Sequence, residues 1–248
     1  MAEPSEQDET GFALINLLPN ALTITAICAG MSAIRFGVQG NYVLAVQLII
    51  AACVLDGLDG RIARLLSSDS KIGAELDSLA DFLNFGVAPP LVLYFWALQD
   101  IRSAAWLAVL FFASCCVMRL ARFNVGSKSE TCDQNSAFFE GVPAPAGAVL
   151  VMLPMYLSFA FADAPLLPGI LICLYMVVIG LLLISRIQTW SFKTTRISRE
   201  NAKFFLIGVA VVGAAMLTFP WVTLILLCFA YVGMVAWAWF DKEVHSNR

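Results

Sequence analysis

Four aspartates stand where an otherwise apolar chain should not carry them: Asp56 and Asp59 near the end of one hydrophobic run, Asp77 and Asp81 at the start of the next. An unpaired carboxylate at mid-membrane costs at least about 2.5 to 3.5 kcal/mol, so a compensating charge must accompany them. At about 100° per residue, Asp56, Asp59, Gly60, Ala63 and Arg64 fall within roughly 140° of one another on one helical face. Asp77 and Asp81, spaced i and i+4, share a face as well. Between the two pairs, the segment from Leu65 to Ile72 contains Ser67, Ser68, Asp69 and Ser70 and predicts a short turn that folds the second pair back beside the first.

Four converging negative charges must be neutralised, and the chain restricts how. Its only histidine, His245, lies in a polar tail, and its seven cysteines include no CxxC pair, so neither a Cys/His zinc site nor a histidine dyad can be built. The cysteines fall mainly inside apolar segments and read as small packing residues. Oxygen-only ligation points to one or two divalent ions such as Mg²⁺ or Mn²⁺. Gly60 and Gly73 remove side chains beside the acids, so a ligand can approach the backbone, and Arg64 offers a planar donor fork matched to phosphate oxygens. Two metals and an arginine suit a pyrophosphate, and the reaction class is phosphoryl-type transfer.

Such a site needs helices that cross a bilayer to hold it. The chain of 248 residues is 60% hydrophobic and 13% charged, with a mean hydropathy of +0.82, beyond what a soluble domain of this size carries. The net charge of -3 says little about partners and gives no reason to expect nucleic acid. Apolar windows predict an all-α polytopic protein of about eight spans near 18 to 37, 42 to 62, 74 to 98, 103 to 123, 143 to 162, 165 to 185, 203 to 219 and 221 to 240. With both termini cytoplasmic, thirteen of the 15 Lys and Arg residues lie inside and only Arg35 and Arg102 outside. The outer turns are short and the inner segments 124 to 142 and 186 to 202 long and polar, so the chemistry should face the cytoplasm. The expected organisation is a cytoplasmic segment over 1 to 17 with a short interfacial helix, one transmembrane domain over 18 to 240, and a tail over 241 to 248. The acidic start shows no cleavage site and is expected to remain.

The spacing Asp56-x2-Asp59-Gly60-x2-Ala63-Arg64-x8-Gly73-x3-Asp77-x3-Asp81 resembles the CDP-alcohol phosphotransferase signature without a departure. The resemblance implies a divalent-metal site built by the four aspartates, a CDP-lipid against the Gly60 to Arg64 face with Gly73 close by, and Asp81 as the base that deprotonates the acceptor hydroxyl. Pro19, Asn20 and Thr23 resemble the family's N-terminal element, which places Asn20 and Thr23 near the nucleotide. The runs AELDSLADFLNFGVAP at 74 to 89, RLARFN at 119 to 124, FEGVPAPA at 139 to 146 and SFK at 191 to 193 are similar to the phosphatidylserine synthase branch. That branch implies CDP-diacylglycerol and L-serine as substrates, a homodimer, and a place in the cytoplasmic membrane among its lipids.

An acceptor carrying a carboxylate calls for a cation facing the cytoplasm, and Arg119 and Arg122 with Asn124 are the candidates, with Lys193 serving the acceptor or a lipid phosphate. Arg119 and Arg122 could equally satisfy topology by snorkelling at a helix end. The belt of Arg186, Lys193, Arg196, Arg199 and Lys203 suits anionic headgroups. Two rivals remain: a sister enzyme using glycerol 3-phosphate, inositol phosphate or another alcohol, and a transporter that moves solute through an acidic pathway without consuming CDP-lipid.

Overall fold

The computed structural model describes residues 17–66, 70–128, 138–161, 165–185, 188–190 and 199–246. The expected N-terminal interfacial helix therefore falls almost wholly outside the described residues, as does Lys193. The chain divides into two compact units, Met1–Gln99 and Asp100–Arg248.

The first unit is built from α1 (Leu18–Val38), α2 (Tyr42–Leu66) and a third span composed of α3 (Lys71–Asp81), a π-helical turn (Phe82–Val87) and α4 (Ala88–Ala97). Pro19 opens α1, where its missing N–H is of no consequence. The helix ends in a Schellman turn: Asn41 N donates to Phe36 O at 2.9 Å and Gly40 N to Gly37 O at 3.1 Å. Gly40 takes the left-handed conformation there, with φ of +80°. The chain reverses within three residues, and α1 and α2 pack as an antiparallel pair. The α1 face turned inward is Pro19, Thr23, Ala26, Gly30, Ala33 and Gly37, a seam of small residues that lets neighbouring backbones approach closely. Ser70 then caps α3, its Oγ accepting from Gly73 N at 2.9 Å. Tyr42 donates its hydroxyl to Phe95 O at 3.0 Å, which ties the start of α2 to the end of the third span.

The second unit contains α5 (Arg102–Lys128), α6 (Ala144–Val151), α7 (Leu153–Phe161), α8 (Gly169–Ile184), α9 (Arg199–Thr218) and α10 (Pro220–Ser246). The span expected over 143 to 162 is broken between α6 and α7 and bent there by 40°. Pro154 is the physical cause. It has no N–H for Leu150 O, four residues back, and Tyr175 of α8 supplies the missing donor at 2.7 Å. Two three-residue strands, β1 (Phe138–Glu140) and β2 (Gln188–Trp190), pair antiparallel with Phe139 opposite Thr189. This ribbon is the one departure from an all-helical chain among the described residues.

Large apolar side chains such as Leu107, Leu174, Leu217 and Leu226 are exposed along the helices, as lipid contact requires of an integral membrane protein. Among the described residues, five helices are long and apolar enough to cross a membrane, or six counting the α6–α7 pair as one broken span. Seven of the eight apolar windows each fall on one helical stretch and the window over 143 to 162 on the broken α6–α7 pair, while α8, at 16 residues, is shorter than a full span. The last two windows part at Phe219, between α9 and α10. Cys115, Cys116, Cys173 and Cys228 are buried, in keeping with packing roles.

Candidate metal centre

The site is assembled by three helices of the first unit. Asp56 and Asp59 sit one turn apart near the end of α2, and Asp77 and Asp81 one turn apart on α3. One carboxylate oxygen from each of Asp56, Asp59 and Asp77 lies within 4.8 Å of the others. Asp81, one turn beyond Asp77 on α3, lies within electrostatic reach of Asp56. Three of the four aspartates singled out by spacing therefore converge on one point, and Asp81 stands one turn beyond Asp77.

Asp59 is the most enclosed of the four, at 3% exposure. Its Oδ2 accepts a 2.6 Å hydrogen bond from Thr23 Oγ1 of α1, and the same hydroxyl lies 3.0 Å from Pro19 O. Asp59 Oδ1 is buried without a hydrogen-bond partner. A buried carboxylate oxygen left bare beside two further carboxylates is a costly arrangement unless a cation completes it. With only carboxylate oxygens in reach, the set fits a hard divalent ion.

The residues around the acids divide into those that touch the cluster and those that leave it open. Thr23 belongs to the first kind, since its hydroxyl holds Asp59. Asn20, one turn earlier on α1, lies against Gly73 of α3: a Cβ on Gly73 would come within 2.9 Å of Asn20 Oδ1 and 3.0 Å of Ser70 Oγ. A side chain at Gly73 would therefore displace the Asn20 amide or the Ser70 hydroxyl, a reason for glycine that spacing alone does not reveal. Gly60 borders open space, the nearest atom to a Cβ there being Arg64 Nη2 at 3.9 Å. Arg64 lies back along its own helix, Nε donating to Gly60 O at 3.1 Å, with the rest of its fork exposed. Ala63 is half-buried on the same stretch of α2.

This geometry sits inside a chain whose residues 16–192 match the family model described as CDP-alcohol phosphatidyltransferase. The chain belongs to that family. Among CDP-alcohol phosphatidyltransferases it is similar to the CDP-diacylglycerol–serine O-phosphatidyltransferase of Mycobacterium leprae (strain TN), at 37% identity over 235 residues, covering 94% of this chain and 76% of the relative. The protein of the same name from Helicobacter pylori (strain ATCC 700392 / 26695) is 33% identical over 234 residues, covering 94% and 95%. That from Saccharomyces cerevisiae (strain ATCC 204508 / S288c) is 39% identical over 128 residues, covering 49% and 46%.

Three of the transferase's acceptor candidates, Arg119, Arg122 and Asn124, lie together on α5 in the second unit. Arg122 Nη1 donates to Ile184 O at 3.0 Å and so caps the C-terminus of α8, a role its sequence context did not disclose. Arg119 is half-buried, and Tyr231 of α10 lies within its electrostatic reach. Asn124 is half-buried two residues beyond Arg122. The β1–β2 ribbon brings the FEGVPAPA run beside the residues that precede SFK. Gly141, at φ of +82°, follows it with no room for a side chain: a Cβ would meet Ser185 O at 2.8 Å and Leu183 O at 2.9 Å. Sequence reasoning missed Asn84, which lies buried in the π-helical turn just beyond Asp81. Its only signal was an amide inside an apolar run.

Proposed function

We propose that the chain transfers the phosphatidyl group of CDP-diacylglycerol to the hydroxyl of L-serine, giving phosphatidylserine and CMP. The observation that carries this reading is the convergence of Asp56, Asp59 and Asp77 on one point, in a chain similar along nearly its whole length to serine O-phosphatidyltransferases. Asp56, Asp59, Asp77 and Asp81 hold Mg²⁺ or Mn²⁺, two ions in the complete site. Bound there, the metal offsets negative charge on the transferring and leaving phosphate oxygens.

The protein's own residues do the remainder. Asn20, Thr23, Gly60, Ala63, Arg64 and Gly73 form the face that receives the CDP-lipid, with Arg64 free to swing its exposed fork onto the pyrophosphate. Asp81 takes the proton of the serine hydroxyl. The serine oxygen then attacks the lipid-side phosphorus, a new O–P bond forms, and the phosphoanhydride bond breaks with CMP leaving. Arg119, Arg122, Asn124 and Lys193 are assigned to the serine carboxylate and its surroundings. The arrangement is an eight-span homodimer in the cytoplasmic membrane, with both termini and the site facing the cytoplasm. The Lys and Arg distribution supports the orientation, and the family resemblance alone supports the homodimer.

The test is CMP release from CDP-diacylglycerol by purified protein with Mg²⁺ or Mn²⁺, comparing L-serine, glycerol 3-phosphate, inositol phosphate and no acceptor. Serine-dependent, chelator-sensitive release is the expected result. Release with another acceptor would keep the family chemistry and replace the substrate. No metal-dependent release with any acceptor would overturn the reading.

A further inference from the structure

Thr23 lies on the inward face of α1, in line with Pro19, Ala26, Gly30, Ala33 and Gly37, and is 4% exposed. A threonine or serine hydroxyl on a helix commonly spends its hydrogen on the carbonyl four residues back. Thr25, Ser158 and Thr223 donate in this way to Ala21 O, Pro154 O and Phe219 O, at 2.7, 3.0 and 2.8 Å. Thr23 has the same acceptor, Pro19 O at 3.0 Å, and a second one on α2, Asp59 Oδ2 at 2.6 Å.

A hydroxyl carries one hydrogen and cannot serve both acceptors fully. The distances decide between them. Separations of roughly 2.5 to 2.7 Å are those of a hydroxyl donating to a carboxylate, a bond about twice as strong as one between neutral groups. Asp59 therefore takes the hydrogen. The contact with Pro19 O holds the threonine in the one rotamer in which Oγ1 also meets Asp59.

The consequence falls on the other oxygen of Asp59. The terminal torsion of an aspartate is soft, so a carboxylate without a fixed partner can turn its plane. With Oδ2 engaged by Thr23, the plane is set, and Oδ1 is the oxygen left buried without a hydrogen-bond partner. It belongs to a carboxylate within 4.8 Å of those of Asp56 and Asp77. We propose that Thr23 is a positioning residue of the metal centre, its hydroxyl fixing the Asp59 carboxylate so that Oδ1 is the oxygen presented to the cation. Thr23 then contributes to the CDP-lipid face through the metal, and its burial leaves little of its own surface for a nucleotide to touch. Partners that orient metal-binding groups in this way typically change metal affinity or activity by about 10- to 100-fold when removed.

The proposal rests on the metal-site reading above but not on the identity of the acceptor. Its test replaces the hydroxyl by a methyl of the same shape, Thr23→Val, in the full chain in detergent or nanodiscs. Mn²⁺ affinity is read from the rise of the unfolding midpoint with Mn²⁺, and turnover from CMP release at limiting and at saturating Mn²⁺. The expected result is Mn²⁺ binding weakened by about tenfold or more and CMP release lowered at limiting Mn²⁺, with the CDP-diacylglycerol KM at saturating Mn²⁺ little changed. Thr23→Ser, which keeps the hydroxyl and drops only the methyl, should recover most of the affinity. Should Thr23→Val fail to fold, Thr23→Ala carries the same comparison with Thr23→Ser. Wild-type Mn²⁺ affinity in the folded variant would overturn the proposal, and a raised lipid KM beside it would move Thr23 to the nucleotide. Loss of affinity in Thr23→Ser equal to that in Thr23→Val would overturn it as well, because the methyl would then be the group that matters. A wild-type midpoint indifferent to Mn²⁺ would overturn the metal-site reading and the proposal together. If the wild-type protein binds Mn²⁺ but releases no CMP with serine, the functional reading alone fails and the Mn²⁺ titration still decides the role of Thr23.

Discussion

The two units of this chain surround different polar groups with apolar helices. In the first, Asp59 Oδ1 and the Asn84 amide are buried and left without partners. In the second, Pro154 deprives Leu150 O of its helical donor and Tyr175 restores one at 2.7 Å, while Arg122 closes the carbonyl end of α8 at Ile184. A polar group that a fold satisfies internally contributes to structure. A bare buried polar atom does not by itself separate the units, since the Tyr231 hydroxyl of the second is buried without a hydrogen-bond partner too; what marks the first unit is that its bare oxygen belongs to a carboxylate within 4.8 Å of two others.

The contrast can be broken in order of expected effect. Asp81→Asn retains shape and removes the base, so the protein should fold and lose turnover by about 10³-fold or more. CMP release by a variant shown to bind Mn²⁺ is the measurement, and wild-type turnover would end the assignment of Asp81 as base. Gly73→Ala places a Cβ 2.9 Å from Asn20 Oδ1 and should push that amide aside. The CDP-lipid KM should rise about tenfold through misplacement of the nucleotide face, with a smaller change in kcat, measured by varying lipid at saturating serine.

Effects in the second unit should be smaller and should fall on stability or on one substrate. Arg122→Ala should raise the serine KM by about tenfold and leave the CDP-lipid KM near its starting value, since the acceptor carboxylate loses a charged donor. Equal changes for both substrates would reduce Arg122 to the cap it forms on α8. Tyr175→Phe removes one hydroxyl from the helix break and should cost about 0.6 kcal/mol, the average for hydrogen bonds between membrane helices. Thermal unfolding would register that loss, and specific activity at low temperature should be unchanged. If Tyr175→Phe instead impaired turnover while Gly73→Ala did not, the division of labour between the units would be wrong.

Much of the site was legible because its information is local. Charged residues inside apolar runs are conspicuous, and helical periodicity places Asp56 with Asp59 and Asp77 with Asp81 on common faces without knowledge of any neighbour. The boundary at Phe219 was legible for the same reason, since Pro220 must begin a new helix, while the turn expected between Leu65 and Ile72 falls in part on residues 67–69, outside the described residues. The break before Pro154 left a trace in the proline itself, but the window over 143 to 162 looked continuous because hydropathy does not register a missing N–H.

By itself the sequence determined that this protein enters a membrane as helices and that two pairs of carboxylates must be neutralised together. Those conclusions follow from transfer free energies and from a 3.6-residue period, both properties of single segments. Only the tertiary structure decided that Thr23 holds Asp59, that Gly73 and Gly30 are glycines because Asn20 and Asn84 fill their side-chain space, and that Arg122 caps α8. The π turn that sets Asn84 against Gly30 belongs with these. Each depends on how closely two helices approach and in what register, and that is fixed by complementary packing between segments distant in the chain.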